Sequence, residues 1–191
     1  MTAEQETKCI QAVVKGDSRA FESLVLAYQD RIYSFIYNTV RNQMDAEEIA
    51  QDVFVKAYKN LDRFKGESKF STWLYSIAHN TTASFFRKKR IQTNTLEEDS
   101  PAMGFESSLE TSLDSIKKEE RDKYIEIAME KMAPQQRVLI QLFYLEENSI
   151  KEIREITGLN DGSIKTGLMR GRNRLYALLQ EILQNEIHSL L

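Results

Sequence analysis

Apolar residues recur every three or four positions along most of the chain, which is the spacing of amphipathic helices rather than of strands. Phe21, Leu24, Tyr28, Ile32, Phe35 and Ile36 form one such run, Ile49, Val53 and Phe54 a second, and Phe70, Trp73, Leu74, Ile77 and Phe85 a third. Gly16-Asp17-Ser18 opens the first of these, Asp45 with Glu48 resembles a capping box for the next, and Gly66-Glu67-Ser68 interrupts the chain before the last. With a further helix near Lys8, the stretch to Arg90 predicts a bundle of about four helices. Periodicity fades from Ile91 to Ser115, where Glu97, Glu98, Asp99, Glu106, Glu110 and Asp114 are the charged residues and all are acidic. That composition predicts a solvated linker. Beyond it Tyr124, Ile125, Ala128, Met129 and Met132 predict another helix, and Pro134 sits where a first helical turn accepts proline, with Val138, Leu139, Leu142 and Phe143 facing inward.

A tighter pattern closes this second bundle. Ile150, Ile153 and Ile156 keep helical spacing, Gly158 suits a left-handed turn, Asn160 or Asp161 can cap the next helix, and Ile164 and Leu168 restart the apolar stripe. Two short helices across a tight turn make a helix-turn-helix, the arrangement that places a second helix in the major groove. Lys165, Arg170, Arg172 and Arg174 come next with no acid between Gly162 and Gln180, a positive surface for phosphates and base edges. The fold class expected is therefore all-α: two small helical bundles, residues 1–90 and 117–191, joined by an acidic flexible linker at 91–116, the C-terminal bundle containing the helix-turn-helix.

Charge complicates the picture. With 26 Lys and Arg against 29 Asp and Glu the chain carries a formal charge of -3, unusual for a protein that binds DNA unaided. Its cations must be segregated. Cys9 is the single cysteine and His79 and His188 are the two histidines, so neither a disulfide framework nor a metal cluster is expected, and no cofactor. The polar start Met1 to Glu6 and the lack of a long apolar run predict no signal peptide or membrane insertion and a cytoplasmic chain. No phosphate-binding loop, nucleophile elbow or catalytic triad is visible, so an enzyme is not expected.

Two further segments carry candidate chemistry. Along Asp45 to Tyr58, Ile49, Val53 and Phe54 would pack inward, leaving Glu47, Glu48, Gln51 and Asp52 as an acidic strip that either is simply solvated or meets a basic partner. From Phe64 to Asn80, closing in Arg87-Lys88-Lys89-Arg90, aromatic rings alternate with cations and small polar groups. Flat rings beside cations suit single-stranded DNA, and a Gly/Ser loop could accept an extruded base, although most of these rings also fit a core stripe.

These segments, in this order around an acidic linker, resemble the extracytoplasmic-function sigma factors, two-domain bacterial transcription initiation factors, over nearly the whole chain. The resemblance implies that Asp45, Glu47, Glu48, Gln51, Asp52 and Phe54 dock on the β′ clamp coiled coil of core RNA polymerase, with the β flap as a further contact. It implies that Lys65, Ser68, Lys69, Phe70, Ser71, Thr72, Trp73, Asn80, Arg87, Lys88 and Arg90 melt and hold the -10 promoter region. It implies that Ser163, Lys165, Thr166, Arg170, Arg172 and Arg174 face the -35 element, that the linker threads toward the polymerase active centre, and that an anti-sigma factor restrains the protein. One departure stands out: the family places a second basic residue two positions after its lysine, where this chain has Gly167, followed by Gly171. Close approach to DNA is one reason for such glycines, and a less rigid helix another. A self-sufficient helix-turn-helix regulator and a helical interaction protein without DNA function are the competing readings.

Overall fold

The computed structural model describes residues 1–92 and 118–189, with the side chains of residues 90–92, 118–120 and 185–189 outside the description. The linker expected at 91–116 falls almost wholly outside the described residues. Among those described there are eight α-helices and no strand. They group into two units, one within Met1–Thr95 together with Lys151–Leu159, the other within Leu96–Ile150 and Asn160–Leu191.

In the first unit, α1 (Ala3–Val14) begins with a complete capping box: Thr2 Oγ1 accepts the Gln5 amide and the Gln5 side chain accepts the Thr2 amide. Helix α2 (Ala20–Val40) comes after a turn in which Asp17 accepts the Arg19 amide, and it ends at Arg41 in the left-handed region, φ 55°. Helix α3 (Gln43–Lys59) is capped by Asn42, whose side chain accepts the Asp45 amide at 2.9 Å. It therefore starts before Asp45, the cap expected from sequence, because Asn42 can satisfy the same orphan donors from the correct side of the first turn. A 3-10 turn at Leu61–Arg63 leads into α4 (Phe70–Gln92).

Leu24, Ile32, Phe35, Ile36, Ala46, Ile49, Val53, Ala57, Leu61, Phe70, Leu74, Tyr75 and Ala78 make the buried core, drawn from α2, α3, the 3-10 turn and α4. The Phe35 and Tyr75 rings meet edge to face at 5.2 Å, tying α2 to α4. Helix α1 is held to α2 by the Tyr28 hydroxyl donating to the Glu6 carboxylate. Burial first, then that carboxylate, push the Tyr28 phenol above its ordinary range.

The second unit contains α5 (Lys118–Glu130), α6 (Pro134–Ile140), a π-helical turn (Gln141–Leu145) and α8 (Asp161–Ser189). Pro134 occupies the first turn of α6, where its missing N–H would have had no helical partner. Tyr124, Ala128, Met129, Val138, Leu139, Ile140, Leu142, Ile164, Leu168, Leu178, Leu179 and Ile182 are buried here. Helix α7 (Ile150–Thr157), expected with this bundle, groups with the first unit, where its Glu152 is ion-paired to Lys69 at 2.8 Å.

Candidate polymerase and nucleic-acid interfaces

Helix α3 divides its residues as its periodicity demands. Ala46, Ile49, Val53 and Ala57 face the core, while Glu47, Glu48, Gln51 and Asp52 are exposed on the other side. Asp52 is steadied by Lys56 at 2.9 Å, and Glu47 accepts from Gln43 at 2.9 Å. Two expected members stand apart from this strip. Asp45 is ion-paired to Lys89 of α4 at 3.2 Å with only 25% of its side chain exposed, and Phe54 is half-buried. Three apolar residues that sequence reasoning missed join the strip: Met44, Val55 and Tyr58 are 80%, 48% and 45% exposed. Their signal was the spacing 44, 48, 51, 55, 58, which is the helical stripe opposite 46, 49, 53, 57. The face is thus acidic with an apolar spine, suited to a basic amphipathic partner helix.

The loop before α4 turns at Gly66, whose φ of 72° favours a residue without Cβ. Phe64, Phe70 and Trp73 cluster here, with ring centroids 5.4–5.7 Å apart, and Tyr28 closes on Phe70 at 5.5 Å. Phe70 and Thr72 are buried at 2% and 1% exposure, so these two members of the expected -10 set lie in the core of this structure. The physical reason is that α4 packs on both α2 and α3, which leaves its first turns little outer surface. Lys65 is exposed, Ser68, Ser71 and Trp73 are half-buried, and the Lys69 ammonium is engaged by Glu152.

Farther along α4 an open groove of about 520 Å³ is lined by Asn80, Ala83, Ser84, Phe86 and Arg87. Ser84 Oγ donates to the Asn80 carbonyl at 2.8 Å and accepts from Arg87 Nη2 at 3.0 Å, which fixes the guanidinium along the groove. Lys88 is exposed beside it, and the side chain of Arg90 lies outside the described residues. Phe86, missed from sequence, offers a half-buried ring face next to an amide and a guanidinium. A flat base, its polar edge and a phosphate find matching chemistry there. His79, the residue before Asn80, is half-buried with its Nδ1 shielded from solvent, and desolvation, only partly offset by the Asn80 side chain, holds its pKa below the ordinary value.

The helix-turn-helix segment is built by local rules. Gly158, at φ 73°, ends α7 by donating its amide to the Arg154 carbonyl at 2.9 Å. Asn160 then caps α8: its side chain accepts the Ser163 amide at 2.8 Å and its carbonyl accepts the Ile164 amide at 3.0 Å. Ile164, Leu168 and Gly171 turn inward, and Ser163, Lys165, Thr166, Arg170, Arg172 and Arg174 are all exposed. No carboxylate among the described residues forms an ion pair with these four cations, so their charge is available to phosphate.

The two interior glycines of α8 have a cause inside the protein. A Cβ on Gly167 would lie 2.4 Å from Leu139 Cδ1, and one on Gly171 would lie 3.1 Å from Ile140 Cγ1 and 3.7 Å from the Gln136 carbonyl. They let α8 approach α6 closely, as small residues do where helices pack backbone to backbone. Position 167 faces Leu139, so any side chain there requires the Leu139 side chain to shift.

Comparison with known proteins agrees with this geometry. The model of sigma-70 region 2 matches residues 24–91, which hold the acidic strip and the α4 groove, and that of sigma-70 region 4 matches residues 123–175, which hold the helix-turn-helix. The ECF RNA polymerase sigma factor SigW of Bacillus subtilis is 35% identical over 181 residues, covering 92% of this chain and 97% of SigW. This chain belongs to the ECF sigma factors. The ECF sigma-E factor of Escherichia coli is 29% identical, covering 92% of this chain and 94% of the relative. Among solved structures, the sigma factor RpoE of Bartonella quintana, in complex with the anti-sigma factor NepR, aligns with a TM-score of 0.64 at 25% identity, over 84% of this chain and 96% of that one. As an ECF sigma factor the protein recognises promoters and directs transcription initiation by bacterial RNA polymerase. No helix among the described residues is long and apolar enough to cross a membrane.

Proposed function

We propose that this sigma factor works as a dissociable specificity subunit in the cytoplasm, with the polymerase performing all bond chemistry. In this reading residues 1–90 dock on the β′ clamp and hold the -10 element, 91–116 link the modules, and 117–191 carry the -35 reader. The observation that carries the reading is the separation of charge: an acidic strip on α3 and an uncompensated cationic face on α8, in one chain of net charge -3. Glu47, Glu48, Gln51 and Asp52, with Val55 and Tyr58, meet a basic helix of the clamp. Lys165, Arg170, Arg172 and Arg174 hold phosphates and base edges while Ser163 and Thr166 supply hydroxyls to the groove.

Each DNA surface is small. Fixing both modules on one polymerase makes the second contact intramolecular, which multiplies weak affinities without any new contact. At the -10 element, stacking against Phe86 and the exposed parts of Trp73, with Asn80 and Arg87 at the groove, stabilises an unstacked base by about 1–3 kcal/mol. That offsets the few kcal/mol needed to extrude it. The Bartonella relative is bound by an anti-sigma factor, and an anti-sigma factor that covered either face of this chain would silence it.

The test is transcription by purified core polymerase from genomic templates with and without this chain. Discrete added transcripts are expected, and they should vanish with Arg170→Ala/Arg172→Ala. Absence of any chain-dependent start site would refute the proposal.

A further inference from the structure

The outward face of α8 is not uniformly polar. Opposite the buried stripe of Ile164, Leu168 and Gly171 run Gly162, Thr166, Met169 and Asn173, at spacings of four, three and four. Met169 is 50% exposed at the middle of that stripe. A single apolar side chain on a surface is ordinary. This one, however, lies among Lys165, Arg170 and Arg172, all exposed and without a carboxylate partner among the described residues, so the face suits a polyanion. A long, flexible thioether then needs an apolar feature within that polyanion. In the major groove such a feature is the C5-methyl of thymine, which apolar side chains read by contact. Met is unbranched and adapts to such a spot. Gly167, turned toward Leu139, offers no side chain to the groove, which increases the share of readout left to its neighbours.

We propose that Met169 is a specificity-determining residue that packs its thioether on a thymine C5-methyl within the -35 element. The proposal rests on the reading of α8 as the -35 helix and names the base chemistry it selects. Lys165 and the arginines set the register through phosphates, Ser163 and Thr166 reach polar base edges, and Met169 distinguishes thymine from the other bases by its methyl.

The test uses holoenzyme assembled from the full chain and bacterial core polymerase. Selection from a library randomised across the -35 region yields a preferred motif, and each thymine in it is then replaced singly by deoxyuridine, which removes only the methyl. One replacement should weaken binding about fourfold, the worth of one methyl taken from an apolar contact. The same replacement should be silent with Met169→Ala and with Met169→Gln, whereas Arg170→Ala should weaken thymine and deoxyuridine duplexes equally. Silence of every deoxyuridine replacement in the wild-type holoenzyme overturns the proposal, and so does a methyl effect that persists in both Met169 variants. A selection that returns no -35 motif at all overturns the broader reading of α8 as well.

Discussion

Replacing Gly167 by alanine sets two effects of known sign against each other. Alanine in a helix interior is favoured over glycine by about 0.5–1 kcal/mol. The added Cβ would lie 2.4 Å from Leu139 Cδ1, well inside contact distance, and Leu139 is itself 6% exposed, so its side chain must leave its rotamer against packed neighbours. Such overpacking costs about 1–3 kcal/mol. The net expectation is a loss of about 1 kcal/mol, which in a unit of this size lowers Tm by about 4–8 °C. Gly171→Ala is the internal control: its nearest contacts of 3.1 and 3.3 Å to Ile140 yield to a small shift, so gain and cost cancel to within about 0.5 kcal/mol. Thermal unfolding of the full chain by circular dichroism measures both, with Trp73 fluorescence reporting the first unit separately. A double-mutant cycle with Leu139→Ala should show the two substitutions costing less together than the sum of each alone. If Gly167→Ala raises Tm as helix propensity alone demands, the close approach of α8 to α6 is refuted.

Backbone strain, a half-buried imidazole and a surface ion pair set three other outcomes. Glu147 holds a left-handed backbone, φ 53°, so Glu147→Gly should stabilise the chain by about 0.5–1 kcal/mol in chemical denaturation. His79 is half-buried with a pKa below its ordinary value of 6.5; the unfolded chain therefore binds the proton first, and stability should fall as pH drops below about 6.5. In His79→Gln that part of the pH dependence should disappear from urea titrations. Asp45→Asn removes a partly exposed ion pair with Lys89 and should cost under about 1 kcal/mol of stability, while polymerase affinity should fall less than with Glu48→Ala/Asp52→Ala in a pull-down titrated with salt.

Helix identity was legible wherever one apolar stripe runs against one neighbour. Ile49 and Val53 of α3 and Ile164 and Leu168 of α8 read directly, as did the turn at Gly158 and the proline at the start of α6, whereas Phe54, expected to pack inward, is only half-buried. Helix α4 read less well. Its periodicity shows that Phe70 and Trp73 share a surface with the core but not that Thr72 is buried too, because two helices pack on it and the second neighbour is a non-local fact. Asp45 was misplaced for the same reason: nothing near it in sequence announces Lys89, forty-four residues on. Helix α1 carried a legible signal, Thr2 with Gln5 three residues later, in a segment whose apolar content is too low to attract attention. The glycines of α8 are the clearest case. Sequence could mark Gly167 as a departure, yet only the position of Leu139 distinguishes an approach to protein from an approach to DNA.

Under the proposed mechanism this acidic chain reads DNA only when a polymerase fixes both of its modules. Footprinting on one selected promoter, with the chain alone and with core polymerase at equal salt, measures that directly. Protection at both the -35 and -10 elements only when core polymerase is present is the predicted result. Equal protection of both elements by the chain alone would contradict it.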